Sequence, residues 1–152
     1  MRVVGIHHRR GDHLDYERVY SIPHITMAYL GPCMDLYLEK YNNSVIFLYV
    51  SDDREWGEKY LLRDRNVVLS LSDSREGWEA TGEDLALLAQ CEDVITTRGT
   101  FSLWAARLAA GTYLRPCMFP QTATQTEIQT RAGRWPLNPL NPKWQTSLWR
   151  SC

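Results

Sequence analysis

Short apolar runs rich in β-branched and aromatic residues alternate with helical stretches along most of this 152-residue chain. The predicted strands are Arg2–His7, Val45–Ser51, Asn66–Leu71, Asp93–Thr97 and Thr112–Met118. Strands separated by helices need crossover connections, which produce a parallel sheet covered by helices on both faces. The sequence therefore predicts a Rossmann-like α/β domain over residues 1–118.

The predicted helices lie between these strands. They are Ser21–Tyr41, with Ser21 as N-cap and a break or kink at Pro32, then Asp53–Leu61, Thr81–Cys91 and Phe101–Ala110, which Gly111 would close as the C′ residue. Prolines and tryptophans recur from Phe119 onward. Residues 119–152 are therefore predicted to form a mostly irregular tail that packs back on the domain.

Composition excludes several classes of function. A hydrophobic content of 44% suits one compact domain, and a net charge of −1 with interspersed signs argues against a nucleic-acid partner. The four cysteines form no CxxC pair, so their spacing fits no zinc site. Asp52 and Asp53 are interpreted as the turn and cap after the second strand, and without a third hard oxygen ligand nearby no metal is expected.

The sharpest motif is His7-His8-Arg9-Arg10-Gly11-Asp12, directly after the first strand. Ligands of open α/β sheets bind beyond the carboxyl ends of the strands. Two arginines there provide permanent charge and forked donors, which suit a diphosphate better than lysine would. The alternative interpretation is a solvated basic loop.

A second motif, Thr97–Ser102, joins a strand to a helix at the same sheet edge. Helix N-terminal amides favour anions, although simple capping by Thr100 or Ser102 is the alternative. With the arginine motif, it would form two walls of a phosphate pocket. Asp84 is open to two interpretations: part of a capping box with Thr81, or a carboxylate that accepts from guanine N1–H and its exocyclic amine.

Three segments, in order and spacing, resemble the α-1,2-fucosyltransferases of glycosyltransferase family 11. His-x-Arg-Arg-Gly-Asp after Val-Gly-Ile resembles the first family motif, and Ser51–Trp56 is similar to the second, Ser-x-x-x-x-Trp. Asp84–Cys91 and Gly99–Ala106 look like the third. The resemblance covers Arg2 to Leu114, with a weaker similarity at Pro139–Trp144.

The resemblance implies the C-terminal half of a GT-B glycosyltransferase that is inverting and needs no metal or other cofactor. The donor would be GDP-fucose, and the acceptor the 2-hydroxyl of a galactose-terminated glycan. When the family's binding residues are carried over by position, His7 would contact the nucleoside, Arg9 would bind the diphosphate and Asp84 would recognise guanine. The phosphate and ribose would be lined by Thr100, Phe101 and Ser102. Arg10 would have a catalytic role, in which it shapes the loop and assists the leaving group. Asp12 or Glu17 would be the catalytic base, and Glu17 matches the spacing of a base in related α-1,6 enzymes. The alternative for both carboxylates is a purely structural role.

The first-domain residues that help hold the acceptor in this family have no counterpart in this sequence. We therefore expect a preceding N-terminal part and poor transfer by this chain alone; a non-catalytic GDP-sugar-binding domain or degenerate paralogue is the alternative. The resemblance also implies the luminal face of the Golgi membrane, reached through an N-terminal anchor outside this sequence. Asn42-Asn43-Ser44 is a glycosylation sequon, or else only a polar turn before a strand.

Overall fold

The computed structural model describes residues 1–62, 66–71, 77–109, 111–116, 126–130 and 133–134. In this part of the chain a seven-stranded sheet has the order β3-β2-β1-β4-β5-β6-β7. The strands are β1 (Arg2–His8), β2 (Val45–Ser51), β3 (Val67–Leu69), β4 (Asp93–Ile95), β5 (Thr112–Pro116), β6 (Thr126–Thr130) and β7 (Gly133–Arg134).

Strands β1 to β5 pair in parallel, with β1 at the centre. Its whole length pairs with β2, from Arg2 opposite Val45 to His8 opposite Ser51. From β1 the chain adds β2 and β3 on one side of the sheet and then β4 and β5 on the other side. The strand order therefore reverses between β1 and β4, and sheets of this kind bind ligands at such a point. The predicted Rossmann-like parallel sheet is confirmed over these five strands.

Strands β6 and β7 extend the sheet in antiparallel pairing beyond β5. They lie in the tail that was predicted to be mostly irregular from Phe119, and Thr126–Thr130 and Gly133–Arg134 are two regular segments within it. The segment Thr-Glu-Ile-Gln-Thr carries β-branched residues at alternate positions, a strand pattern that the surrounding prolines and tryptophans obscured. The rest of the tail lies outside the described residues.

Among the described residues, five helices lie between the parallel strands: α1 (Gly11–Val19), α2 (Met27–Lys40), α3 (Arg54–Tyr60), α4 (Trp78–Ala89) and α5 (Thr100–Leu108). Because side chains alternate along a strand, each strand supplies two separate core layers. On one face Val4, Ile6 and Phe47 pack against α2. On the other face Val50 packs against Leu88 of α4 and Ala105 of α5. The predicted covering by helices on both faces is confirmed.

Helix α1 was not predicted, and α2 begins later than expected. Thr26 is the N-cap of α2, and its hydroxyl accepts from the Ala28 amide at 3.2 Å. Ser21, the predicted N-cap, lies before the helix with φ at 52°. Pro32 lies inside α2 and does not break it, because the buried apolar face of the helix outweighs the lost backbone hydrogen bond.

Two helix ends near glycines also differ from the prediction. Helix α4 begins at Trp78 with Gly77 as N-cap, so the capping box predicted from Thr81 is wrong. Helix α5 ends at Leu108, and Gly111 lies too far along the chain to be its C′ residue. A Cβ atom at Gly111 would lie 2.0 Å from the Glu92 carbonyl oxygen, so close packing between backbones requires glycine there.

Candidate active site

A cavity of about 260 Å³ opens at the carboxyl ends of β1 and β2, against α4 and the start of α5. This is the edge of the sheet at which the sequence predicted a pocket. The lining residues are His7, Arg9, Val50, Ser51, Asp52, Gly77, Ala80, Thr81, Asp84 and Phe101.

His7 forms the floor between β1 and α5. Its Nδ1 atom lies 2.5 Å from the Ser102 hydroxyl, and its ring lies 4.7 Å from the Phe101 ring. Burial lowers the pKa of His7 from 6.5 to about 4, and the positive charge of Arg9 adds to the effect. At neutral pH the ring is therefore uncharged, and it contacts Ser102 and Phe101 at the start of α5.

Arg9 lies at the mouth of the cavity in a forked pair with Asp12. Arg9 Nε donates to Asp12 Oδ1 and Nη2 to Oδ2, both at 2.8 Å. The side chains are 41% and 68% exposed, so water screens the pair and a ligand can rearrange it at little cost. The Arg9 backbone amide also donates to the Thr97 hydroxyl at 3.2 Å, which ties the end of β1 to the end of β4.

Asp12 is poorly suited to accept a proton. The hydrogen bond from Arg9 holds the pKa of this carboxyl below its usual value. A carboxylate stabilised in its charged form is a weaker base, so the geometry favours the structural alternative for Asp12.

Arg10 points away from the cavity, toward α3. Its Nε donates to Asp53 Oδ2 at 2.8 Å, and its guanidinium carbon lies 5.0 Å from the Trp56 ring centre. Asp53 also accepts from the Trp56 amide at 3.0 Å, so the predicted cap after the second strand is confirmed. Arg10 is thereby placed to shape the loop, whereas the leaving-group role predicted for it has no support from this position.

The start of α5 has no side-chain cap. Its N-cap is Gly99, with φ at 107°, a conformation that favours glycine. Thr100 is the first helical residue, and the Ser102 hydroxyl contacts His7 instead of capping the helix. The alternative of capping by Thr100 or Ser102 is therefore wrong. The first amides of the helix are left without a side-chain acceptor, beside the predicted phosphate site.

Asp84 lies on the α4 wall of the cavity. Its Oδ1 accepts from the Ser70 hydroxyl at 2.8 Å, just after β3. Since α4 starts six residues earlier, Asp84 is not a helix cap. The carboxylate is part of the lining, which is where the predicted guanine contact requires it.

Glu17 lies apart from the cavity, on the buried face of α1. Its side chain is 4% exposed; Oε1 accepts from Arg98 Nη1 at 2.5 Å, and Oε2 lies 2.8 Å from His24 Nδ1. Arg98 is itself only 10% exposed and also donates to the Pro23 carbonyl at 3.0 Å. Both carboxylate oxygens are engaged, so the structure favours the structural alternative for Glu17 over a base.

The structure thus brings together His7, Arg9, Asp84, Phe101 and Ser102, with Thr100 beside them, and leaves Arg10 and Glu17 outside. Ser51 and Asp52 also line the cavity and were not predicted as site residues. Both could have been predicted from the sequence, because they lie at the carboxyl end of β2 and therefore at the same edge of the sheet. Among the described residues no group of three or more His, Cys, Asp or Glu side chains could hold a metal ion.

Comparison with known proteins connects this site with one family. The sequence model of glycosyl transferase family 11 matches residues 1–134. The chain is 32% identical over 136 residues to a mouse protein named galactoside 2-alpha-L-fucosyltransferase Sec1, covering 88% of this chain and 36% of that protein. It is 39% identical over 110 residues to pig galactoside alpha-(1,2)-fucosyltransferase 1, covering 71% of this chain and 29% of the relative. The chain therefore spans about a third of the length of these relatives.

Solved structures share the fold at lower identity. The NodZ alpha-1,6-fucosyltransferase co-crystallized with GDP superposes with a TM-score of 0.55 at 18% identity, over 85% of this chain and 41% of that one. Fucosyltransferase NodZ from Bradyrhizobium gives a TM-score of 0.51 at 19% identity, over 86% and 41%. This similarity establishes a common α/β architecture.

Proposed function

The chain belongs to glycosyltransferase family 11, and from that premise we propose that it forms the donor-binding part of a galactoside α-1,2-fucosyltransferase. The reaction moves L-fucose from GDP-β-L-fucose to the 2-hydroxyl of a terminal galactoside, with inversion at the sugar carbon and without a metal. The chain then corresponds to the C-terminal half of a GT-B enzyme.

The observation that carries the proposal is the composition of the cavity walls. A forked cation, Arg9, stands at the mouth beside the uncapped start of α5, and both suit a diphosphate. Asp84 on the α4 wall provides carboxylate oxygens that match the two adjacent donors of guanine. His7 and Phe101 supply a neutral, partly apolar floor between them.

The chemistry follows from the leaving group. As the bond between fucose C1 and the β-phosphate oxygen breaks, negative charge grows on that oxygen. Arg9 and the amides of α5 stabilise this charge from fixed positions. The galactose oxygen attacks from the opposite face of the sugar. Because Asp12 and Glu17 are both held in ion pairs, we favour a transition state in which C–O cleavage runs ahead of proton loss.

A second candidate is a non-catalytic GDP-sugar-binding domain or a degenerate paralogue. It is favoured by the observation that both candidate bases, Asp12 and Glu17, are engaged in ion pairs. The same cavity would then bind the nucleotide sugar without transferring it, so binding and transfer must be measured separately.

We further propose a luminal Golgi location with attachment to the membrane through an N-terminal anchor. No helix in the described part of the chain is long and apolar enough to cross a bilayer. Asn42 of the sequon is exposed in the turn between α2 and β2, which supports access for glycosylation. Asn42 and Asn43 have φ of 50° and 61°, a backbone conformation that asparagine tolerates better than most residues. The geometry of the turn alone would therefore also account for asparagine at these two positions.

Isothermal calorimetry with GDP in the presence of EDTA tests the proposal. We expect GDP to bind, and Arg9→Lys to weaken binding by about 1–3 kcal/mol because lysine loses the planar fork. Arg18→Lys is the matched control, since Arg18 is also exposed and paired with an aspartate three residues away on the same helix, Asp15. Binding that requires Mg²⁺ or Mn²⁺ would refute the metal-independent reaction, and equal binding by both variants would refute the role of Arg9.

A further inference from the structure

Helix α1 exposes a ladder of rings along one side. His13 lies 5.6 Å from Tyr16, and Tyr16 lies 4.6 Å from Tyr20, between ring centres. Tyr16 is 47% exposed and Tyr20 is 63% exposed. Contiguous exposed aromatic surface of this kind marks a binding site more often than scattered single residues do. We call these three residues the α1 ladder.

The α1 ladder starts at the donor site. A Cβ atom at Gly99 would lie 3.5 Å from His13 Nε2, so His13 covers the loop at the start of α5. The preceding residue, Asp12, forms the fork with Arg9 at the mouth of the cavity. A molecule lying on the ladder would therefore reach the place where the fucose and diphosphate are proposed to sit.

We infer that the α1 ladder binds the acceptor, a β-galactoside of two sugar units, by stacking pyranose rings on its aromatic faces. The inference rests on the proposed function, because an acceptor is needed only if fucose is transferred. In galactose the axial 4-hydroxyl leaves the hydrogens of C3, C4 and C5 together on one side. That side is apolar and flat enough to stack on a tyrosine.

The dimensions of the ladder fit this ligand. From His13 to Tyr20, the C-cap residue of α1, the backbone rises about 10 Å, close to the length of two linked pyranoses. A polar rim borders the stacking surface at its donor end, where Asp12, one helical turn before Tyr16, forms an exposed ion pair with Arg9. Tyrosine hydroxyls and a charged rim are suited to sugar hydroxyls, whereas the apolar core of a protein interface is depleted of charge.

Saturation-transfer NMR on the 152-residue chain with lactose tests the inference, and cellobiose serves as the control sugar with an equatorial 4-hydroxyl at its terminal ring. We expect lactose to bind more tightly than cellobiose. Tyr16→Ala and Tyr20→Ala should each weaken lactose binding about fivefold, the scale of one stacking contact. Tyr16→Phe should keep it, since the ring remains. Trp104→Ala is the matched control, because Trp104 is 61% exposed on a different helix.

GDP calorimetry on the same variants separates this inference from the proposed function. If GDP binds but lactose does not, or if both tyrosine variants bind lactose normally, the acceptor assignment is wrong and the donor site stands. Equal binding of lactose and cellobiose also overturns it. So does a dimer in sedimentation analysis that Tyr16→Ala dissociates, because the ladder is then covered by a second copy. If GDP itself fails to bind, the proposed function fails first.

Discussion

Adjacent histidines at the end of β1 face opposite sides of the sheet and have different partners. His7 lies among Phe101 and Ser102 on the α5 side, whereas His8 donates to or accepts from the Tyr49 hydroxyl at 3.0 Å on the α3 side. Burial lowers the pKa of His7 to about 4 and that of His8 to about 3. Both rings are therefore neutral parts of the core at physiological pH, even though they stand beside two arginines.

These low pKa values predict how stability depends on pH. The unfolded chain binds protons at pH values below 6.5, whereas the folded rings stay neutral until about 4 and 3. Stability is therefore full above pH 6.5 and falls as the pH drops, by about 2 kcal/mol per ring between pH 7 and 5. Urea denaturation at both pH values measures this loss, and His7→Asn should remove about half of it. An NMR titration showing either ring charging near pH 6.5 would contradict the prediction.

Asp84 provides a second prediction at a single residue. If its carboxylate accepts from guanine, Asp84→Asn should weaken GDP binding by about 1–3 kcal/mol and leave weak UDP binding unchanged. Stability should change little, because the asparagine oxygen can still accept from Ser70. Glu83→Gln, on the exposed side of the same helix, is the control. Equal loss of affinity for both nucleotides would show that Asp84 does not select the base.

Among the elements, α1 depends most on one ion pair. Glu17 is its buried residue, and Arg98 in the loop between β4 and α5 supplies the opposite charge. The pair joins the helix that follows the arginine motif to the loop that precedes α5. Glu17 therefore acts on the site as a positioning residue, by holding these two elements together.

Substitution of Glu17 separates that role from the role of a base. Glu17→Gln leaves the Arg98 charge buried without a counterion, which typically costs about 3–5 kcal/mol of folding stability. Asp15→Asn removes the exposed partner of Arg18 on the same helix and should cost less than about 1 kcal/mol. Thermal or urea denaturation compares the two variants. A Glu17→Gln protein that is as stable as the unsubstituted chain would contradict the positioning role.

The same helix shows why some elements could not be read from the sequence. The buried residue of α1 is a glutamate, so its sequence lacks the apolar residues at helical spacing that predict a helix. The burial of Glu17 is explained by its ion pair with Arg98, which is distant in sequence. Strands β1 and β2 are continuous apolar runs and were predicted almost to the residue. Thr26 and Ser21 are equally good N-caps by type, and the buried face beginning at Tyr29 decides between them.

At the scale of the whole molecule, the position of the site was predictable and its contacts were not. Parallel strands place their carboxyl ends together, which predicted His7, Arg9 and the Thr97–Ser102 loop at one edge. Whether an arginine faces the cavity depends on the carboxylates around it. Asp12 holds Arg9 at the mouth, whereas Asp53 and Trp56 turn the neighbouring Arg10 toward α3. These are tertiary contacts that no local pattern encodes.

The whole chain should release GDP from GDP-fucose slowly and transfer fucose poorly. Holding donor and acceptor in attack geometry supplies roughly 7–11 kcal/mol of a barrier, and we expect a GT-B enzyme to need both halves for it. A GDP-release assay with and without lactose measures both activities. Hydrolysis that lactose does not accelerate is the expected result. Rapid lactose-dependent release would show that this third of the relatives' length is sufficient for transfer.

The hydrogen bond between His7 and Ser102 joins residues 95 positions apart, and β1 pairs with β4 across a similar distance along the chain. Such separations slow folding, because loop closure must precede the contact. During synthesis β1 emerges well before its neighbour strand β4 and before α5, which supplies one wall of the pocket. The proposed nucleotide would therefore find its complete pocket only in a chain that has finished folding, and binding would stabilise that folded state.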